Sequence, residues 1–321
     1  MRGSMSYQVT YLFRSSGINQ IGASKNAAKE SAREIIESSG KGATSSRIAE
    51  HTGIHSHGTA TTYIDKWKEF ANFAKAELGV KDIEKITAEH VREYLTAKME
   101  EGVSYSTWQG NAAALSKLEN ALEMYAVSMG KVSGYGFRQA IAEVRAVAAA
   151  ELDRFTGTRN YQDSRALIDS ISNDDFQLAA KLQLEAGVRV SEASLIKPEQ
   201  LRGLGRDEFS GRVVGIYEFE GKGGKVNTAQ LSPETYERLA NHIAANGEFR
   251  FNPDTYRMGL EQAASDTGQK YQGSHGLRWS FAQERFHELQ ENGVGYLKAL
   301  GVVSDEMGHN RTEITEHYLG K

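Results

Sequence analysis

His275 and Arg278 lie three residues apart in "SHGLRWSFA". On a helix the two share a face and could clamp one anion. A lone His-x-x-Arg is nevertheless expected by chance about once in a chain of this size. Three other stretches carry side chains that could join the pair. "AGVRVSEA" sets Arg189 at a helix start with Glu192 on the adjacent turn, where Glu192 reads as a capping salt bridge. "EGKGGK" puts Lys222 and Lys225 on a glycine turn, and a flexible lysine there can deliver a proton into a site or simply stand in water. The stretch is no phosphate loop, because Val226 follows Lys225 where Ser or Thr is required. "SDEMGHNRTEITEHYLGK" closes the chain with His309 upstream of Tyr318, which is either the tip of a docking helix or a nucleophile. His51, His55 and His57 in "HTGIHSHG" have no acidic or cysteine partner at ligand spacing, so they read as surface or capping histidines.

The elements that must hold these side chains follow from composition and periodicity. A chain of 321 residues, 39% of them hydrophobic, can bury the cores of about two domains. The absence of cysteine excludes disulfides and thiolate zinc sites. No apolar run approaches the ~20 residues of a membrane span, and no signal peptide is present, so a soluble cytoplasmic protein is expected. The net charge of -4 sits awkwardly with phosphate binding, unless the cations are gathered on particular faces.

Residues 1–57 are polar, with one helix expected from Ser24 to Ser38 and a linker in "SSGKGATSS"; the opening Met-Arg-Gly-Ser looks like an expression-vector remnant. Residues 58–152 read as a helical bundle. Tyr63, Trp67, Phe70 and Ala74 mark one apolar stripe, Val91, Leu95 and Met99 a second, Trp108, Ala112, Leu115, Leu118 and Leu122 a third. An alanine-rich helix from about Phe137 to Leu152 makes the fourth. Residues 153–165 break the periodicity and read as a linker. In 166–321 a helix through Phe176–Gly187 precedes two short strands around Gly-Lys-Gly-Gly-Lys, and the rest is mostly helical, giving a mainly α, partly α+β domain.

Taken in order, Arg189, the lysine turn, His275-x-x-Arg278, Gly308-His309 and Tyr318 resemble the tyrosine recombinase (phage integrase) family. The flanks agree as well. "AGVRVSEA" resembles the first-arginine motif, "GKGGK" the β-hairpin lysine motif, "HGLRWSFA" the His-x-x-Arg helix, and "MGHNRTEITEHY" the segment leading to the tyrosine, with Met307 where Leu is usual. From about Gly58, "TYIDKWKEFANFA", "ITAEHVREYL" and "SYSTWQGNAAALSKL" resemble the helical core-binding domain of such enzymes. The resemblance implies a core-binding bundle and a catalytic domain with a small antiparallel sheet, closing as a C-shaped DNA clamp.

It also implies a catalytic set of Arg189, Lys222, His275, Arg278, His309 and Tyr318, with Lys225 as the alternative to Lys222. The activity implied is site-specific recombination through a 3′-phosphotyrosyl intermediate, with no ATP, metal or other cofactor. The partner implied is a double-stranded DNA recombination site, bound by a homo-oligomer, a tetramer on two paired sites. Only Leu319, Gly320 and Lys321 follow Tyr318, where the family commonly has a helix that docks into a neighbouring subunit. A truncated tail that weakens this assembly is the expectation. Two other functions compete: a catalytically silent DNA-binding regulator on the same fold, and a type IB topoisomerase-like DNA-relaxing enzyme.

Overall fold

The structure is a computed structural model and describes residues 1–132, 134–221, 224–309 and 312–320. The chain divides into two compact units, Met1–Phe155 and Thr156–Lys321.

The first unit is all helical: α1 (Met5–Ser15), α2 (Lys25–Ser38), α3 (Ser45–His51), α4 (His57–Glu77), α5 (Ala88–Glu100), α6 (Tyr105–Ser128) and α7 (Phe137–Glu151). The side chains of Ser24, Ser56, Thr87 and Ser104 each accept a backbone N–H at a helix start, which is why those helices begin where they do. Trp67 and Trp108 are fully buried, and each indole N–H finds a carbonyl, Ala114 O at 2.7 Å and Leu95 O at 3.1 Å. The bundle begins earlier than the apolar stripes suggested. In α1, Met5, Val9, Leu12 and Phe13 are buried in the same core as Trp67 and Phe70, so residues 1–57 are not merely a polar extension. The polar residues between those four positions masked the stripe. Part of "SSGKGATSS" is also helical, as α3 starts at Ser45. His51 and His57 are exposed at helix ends, and His55 Nδ1 lies 3.1 Å from Ala23 O.

The second unit holds α8 (Ser164–Asp169), α9 (Asp174–Ala186), α10 (Val190–Ala193), β1 (Leu195–Ile196), β2 (Leu201–Arg206), β3 (Val213–Glu220), β4 (Val226–Leu231), α11 (Pro233–Asn246), β5 (Phe249–Arg250), α12 (Pro253–Asp266), α13 (Ser274–Glu291), α14 (Tyr296–Glu306) and α15 (Thr312–Tyr318). Two strands were expected around the lysine turn. The sheet has three, antiparallel in the order β2-β3-β4, and β1 pairs separately with β5. Residues 156–165, expected as linker, belong to this unit: Tyr161 is buried and its hydroxyl donates to Gly273 O at 3.0 Å. α13 runs through the middle, with every residue from Gly276 to Ala282 buried. A helix surrounded on so many sides can carry inward polar groups only if each finds a partner. Among the described residues no helix is long and apolar enough to cross a membrane.

Candidate active site

Five of the six side chains singled out in the sequence lie on or beside four helices of the second unit. Arg189 caps α10, His275 and Arg278 stand on the first turns of α13, His309 follows α14, and Tyr318 ends α15. Lys222, the sixth, lies outside the described residues.

Arg278 is the centre of the arrangement and has no solvent exposure (0%). Its Nη1 donates to Gly187 O, and its Nη2 donates to Met307 O at 2.5 Å and meets His309 Nε2 at 2.9 Å. Gly187 makes the first contact feasible. It ends α9 at φ +62°, and a Cβ there would lie 2.3 Å from Phe281 Cδ1, so only glycine lets α9 approach α13 this closely. Met307 and His309 come from the tight end of α14, where Gly308 takes φ +64° and His309 N donates to Ser304 O at 2.8 Å.

Tyr318 is 6% exposed, and its hydroxyl lies 2.7 Å from His275 Nε2. Its phenol also interacts electrostatically with the Arg278 guanidinium. Its ring packs on Trp279 and His309, with centroids 4.8 and 5.4 Å away. At Arg189, Nη1 holds Glu192 Oε1 at 2.6 Å while Glu192 Oε2 accepts the Arg189 backbone N–H at 2.7 Å, the capping salt bridge read from the sequence.

The charges here are unbalanced towards positive. Among the described residues no carboxylate hydrogen-bonds Arg278, and the Glu192 carboxylate whose charge it feels is bonded to Arg189. Burial and the charges of Arg278, Arg189 and Arg159 bring His275 down to about 4 from the usual 6.5. Burial, Arg278 and Arg189 bring His309 down to about 3. Both imidazoles are therefore neutral near pH 7. His309 Nε2 then accepts from Arg278, which leaves the proton on Nδ1, a buried atom with no hydrogen-bond partner among the described residues. Burial, followed by the Arg189 charge, also lowers the Arg278 guanidinium from its ordinary value.

The lysine turn joins β3 to β4, and its base adjoins this cluster. Gly221 N donates to Lys225 O at 2.7 Å, and a Cβ on Gly221 would lie 3.9 Å from Glu192 Oε1. On the other side, a Cβ on Gly308 would come 3.3 Å from Asn227 Nδ2. The Lys225 side chain is exposed. A cavity of about 570 Å³ lies elsewhere in the unit, lined in part by Phe281, Arg285 and Glu306.

Chemically, the cluster offers a deficit of negative charge, several N–H donors and a phenol bonded to a neutral imidazole. That combination suits an anionic diester more than a metal ion, and among the described residues no group of three His, Asp or Glu is set to hold a metal. Sequence reading missed Trp279, whose place beside Arg278 was its only signal. It also missed the Gly187 and Met307 carbonyls, which no side-chain pattern reveals.

Residues 50–124 match the family model of the phage integrase N-terminal SAM-like domain. No curated protein matches the chain. Among solved structures, XerH site-specific recombinase bound to difH substrate in a pre-cleavage complex is similar at TM-score 0.60 and 16% identity, over 98% of this chain and 91% of that one. A lambda integrase dimer bound to a COC′ core site gives TM-score 0.58 at 16% identity, over 97% and 80%. The Tn1549 transposon integrase in complex with transposon right end DNA gives 0.53 at 14%, over 91% and 94%. Residues 50–124 are thus similar to the phage-integrase SAM-like domain, and the chain shares with these tyrosine recombinase structures a mainly helical fold with small antiparallel sheets.

Proposed function

We propose that this protein is a site-specific DNA recombinase that cleaves and rejoins duplex DNA through Tyr318. The observation that carries the reading is the Tyr318 hydroxyl at 2.7 Å from His275 Nε2, beside an Arg278 that no carboxylate among the described residues neutralises through a hydrogen bond. The SAM-like domain and the fold support it.

The step follows from those groups. Tyr318 Oη attacks the scissile phosphorus, the new P–O bond forms, and the bond to the 5′ oxygen breaks. A phenol with an ordinary pKa of about 10 is a weak nucleophile, so its proton must leave as it attacks. His275 Nε2, neutral because its pKa is held down to about 4, takes that proton. Arg189 and Arg278 bind the non-bridging oxygens, where negative charge accumulates, with the planar fork that suits phosphate. Each preorganised donor contributes roughly 3 kcal/mol to such a transition state. His309 first holds Arg278 through Nε2 and then, once Arg278 turns onto the oxygens, donates to the phosphate in the tautomer that carries its proton on Nε2. A lysine of the β3–β4 turn protonates the departing 5′ oxygen. We assign Lys222, with Lys225 as the alternative.

The 3′-phosphotyrosyl product keeps the energy of the diester, so the reverse attack by a 5′ hydroxyl reseals the strand without ATP. The proposed partner is a double-stranded recombination site, bound by a homotetramer across two paired sites. The test is an SDS-stable protein–DNA adduct on nicked suicide duplexes. Adduct in the unsubstituted protein and none in Tyr318→Phe is the expected result. DNA binding without adduct would instead identify a catalytically silent DNA-binding protein.

A further inference from the structure

Arg285 stands two turns beyond Arg278 on α13 and is 6% exposed. Its Nη1 and Nη2 bind Asp207 Oδ2 and Oδ1 at 3.1 and 2.6 Å. Its Nε and Nη2 bind Glu306 Oε2 and Oε1 at 3.0 and 2.8 Å, and Nη1 reaches Glu288 Oε2 at 2.8 Å. Asp207, in the turn between β2 and β3, has no side-chain exposure (0%), and its Oδ2 also accepts Ser210 N at 3.0 Å. Glu306 is the last residue of α14.

Packing alone does not call for an ion cluster at this place on α13. Replacing a buried ion network with apolar residues of similar volume is often neutral or stabilising. What a planar guanidinium adds is direction, because bidentate bonding fixes the partner's orientation as well as its distance. The element so oriented is the end of α14. Glu306 is followed at once by Met307, whose carbonyl accepts Arg278, and two residues later by His309, whose Nε2 meets the same guanidinium.

We propose that Arg285 is a positioning residue for strand cleavage: by joining Glu306 to Asp207 through one guanidinium, it sets Met307 and His309 and, through them, the direction in which Arg278 presents its N–H groups. The role rests on the strand-cleavage reading of the site. It acts at second hand, since Arg285 touches neither Tyr318 nor the place of the phosphate.

The test uses Arg285→Lys, which keeps the charge and loses the fork, and Glu306→Gln, which keeps the shape and loses the charge. Suicide duplexes tiled across the DNA flanking the protein's own gene first map cleavage in the unsubstituted protein. The mapped site is then made with either an ordinary phosphodiester or a methylphosphonate at the scissile position. The methylphosphonate is neutral and asks little of Arg278. On the phosphodiester, adduct formation in both variants should fall ten- to a hundredfold, with DNA retention in gel shifts changed less than threefold. On the methylphosphonate, both should come within about threefold of the unsubstituted protein.

Equal losses on the two substrates would mean that the cluster only stabilises the fold, and no loss on the phosphodiester would remove its role altogether. If Arg285→Lys does not fold, Glu306→Gln carries the comparison. Hydrogen exchange at the His309 amide, bonded to Ser304 O, should quicken at least tenfold in either folded variant, and unchanged exchange overturns the proposal. Absence of any Tyr318 adduct in the unsubstituted protein overturns the strand-cleavage reading and the positioning role together. An adduct that the variants form at full rate overturns the positioning role alone.

Discussion

Helix α13 buries two arginines two turns apart, and their company is opposite. Arg285 is surrounded by Asp207, Glu306 and Glu288. Arg278 touches two backbone carbonyls and a neutral imidazole. The carboxylates raise the pKa of the Arg285 guanidinium despite its burial, and Arg285 in turn holds the Asp207 carboxyl well below its usual value, although burial alone would raise it. At Arg278 burial and the Arg189 charge push the other way. A buried charge that is fully paired is a strut. One solvated only by dipoles keeps most of its field for an incoming anion. The same residue type on one helix therefore reads as structure at one end and as a binding group at the other.

Substitution by alanine should separate the two most sharply. Arg285→Ala leaves the Asp207 and Glu306 carboxylates without their cation, while Glu288 keeps Arg212, and should lower the unfolding free energy by about 3–5 kcal/mol, read by urea denaturation. Arg278→Ala removes a charge without stranding a carboxylate. Its main effect should be on cleavage, a loss of about a thousandfold, equivalent to about 4 kcal/mol, in single-turnover adduct formation. A larger stability loss at Arg278 than at Arg285 would break the comparison.

Gly187→Ala attacks the same contrast from the carbonyl side. The left-handed φ and the 2.3 Å approach to Phe281 should together cost about 2–3 kcal/mol of stability, and displacement of Gly187 O should slow adduct formation as well. Thermal and urea unfolding, with adduct rates on the folded fraction, check both.

The pH dependence tests the positive end alone. His275 and His309 have folded-state values near 4 and 3, below the ordinary 6.5, so the unfolded chain binds more protons between those limits. Their contribution is fully present above about pH 6.5 and is lost as pH falls through 4 and then 3. His309, held furthest below its ordinary value, should contribute the larger part of that loss, and His309→Gln should flatten that part of the stability curve.

The smallest expected effect is from an inorganic anion. At 50 mM, sulfate with a dissociation constant of about 10 mM would stabilise the folded protein by about 1 kcal/mol over chloride at equal ionic strength. Arg278→Ala should abolish that difference, and persistence of the difference in the variant would place the anion elsewhere.

Much of the bundle is legible in the sequence. The stripes through Trp67, Trp108 and Leu118 repeat at helical spacing, and those residues are buried. The stripe of α1 was not legible, because four buried positions among polar neighbours look like a solvated segment until the rest of the core exists to receive them. The extra strand β2 was hidden for a related reason. "LRGLGR" has two glycines and two arginines and pairs only because β3 offers an edge. Within the site, side-chain types and their order could be read off the chain, and so could the Glu192 cap, since it involves residues three apart.

What the sequence alone determined, then, was local: helix periods, caps, the glycine turn, and the identity and order of the polar side chains. Contacts between residues distant in the chain belong to the tertiary structure. Only folding brings Gly187 O, Met307 O and His309 to one guanidinium, places Tyr318 on His275, and gives Arg285 carboxylate partners that Arg278 does not have among the described residues. The physical reason is that charge and burial are properties of surroundings. An arginine has one pKa in the sequence, but what it can do is decided by which groups share the low-dielectric space around it.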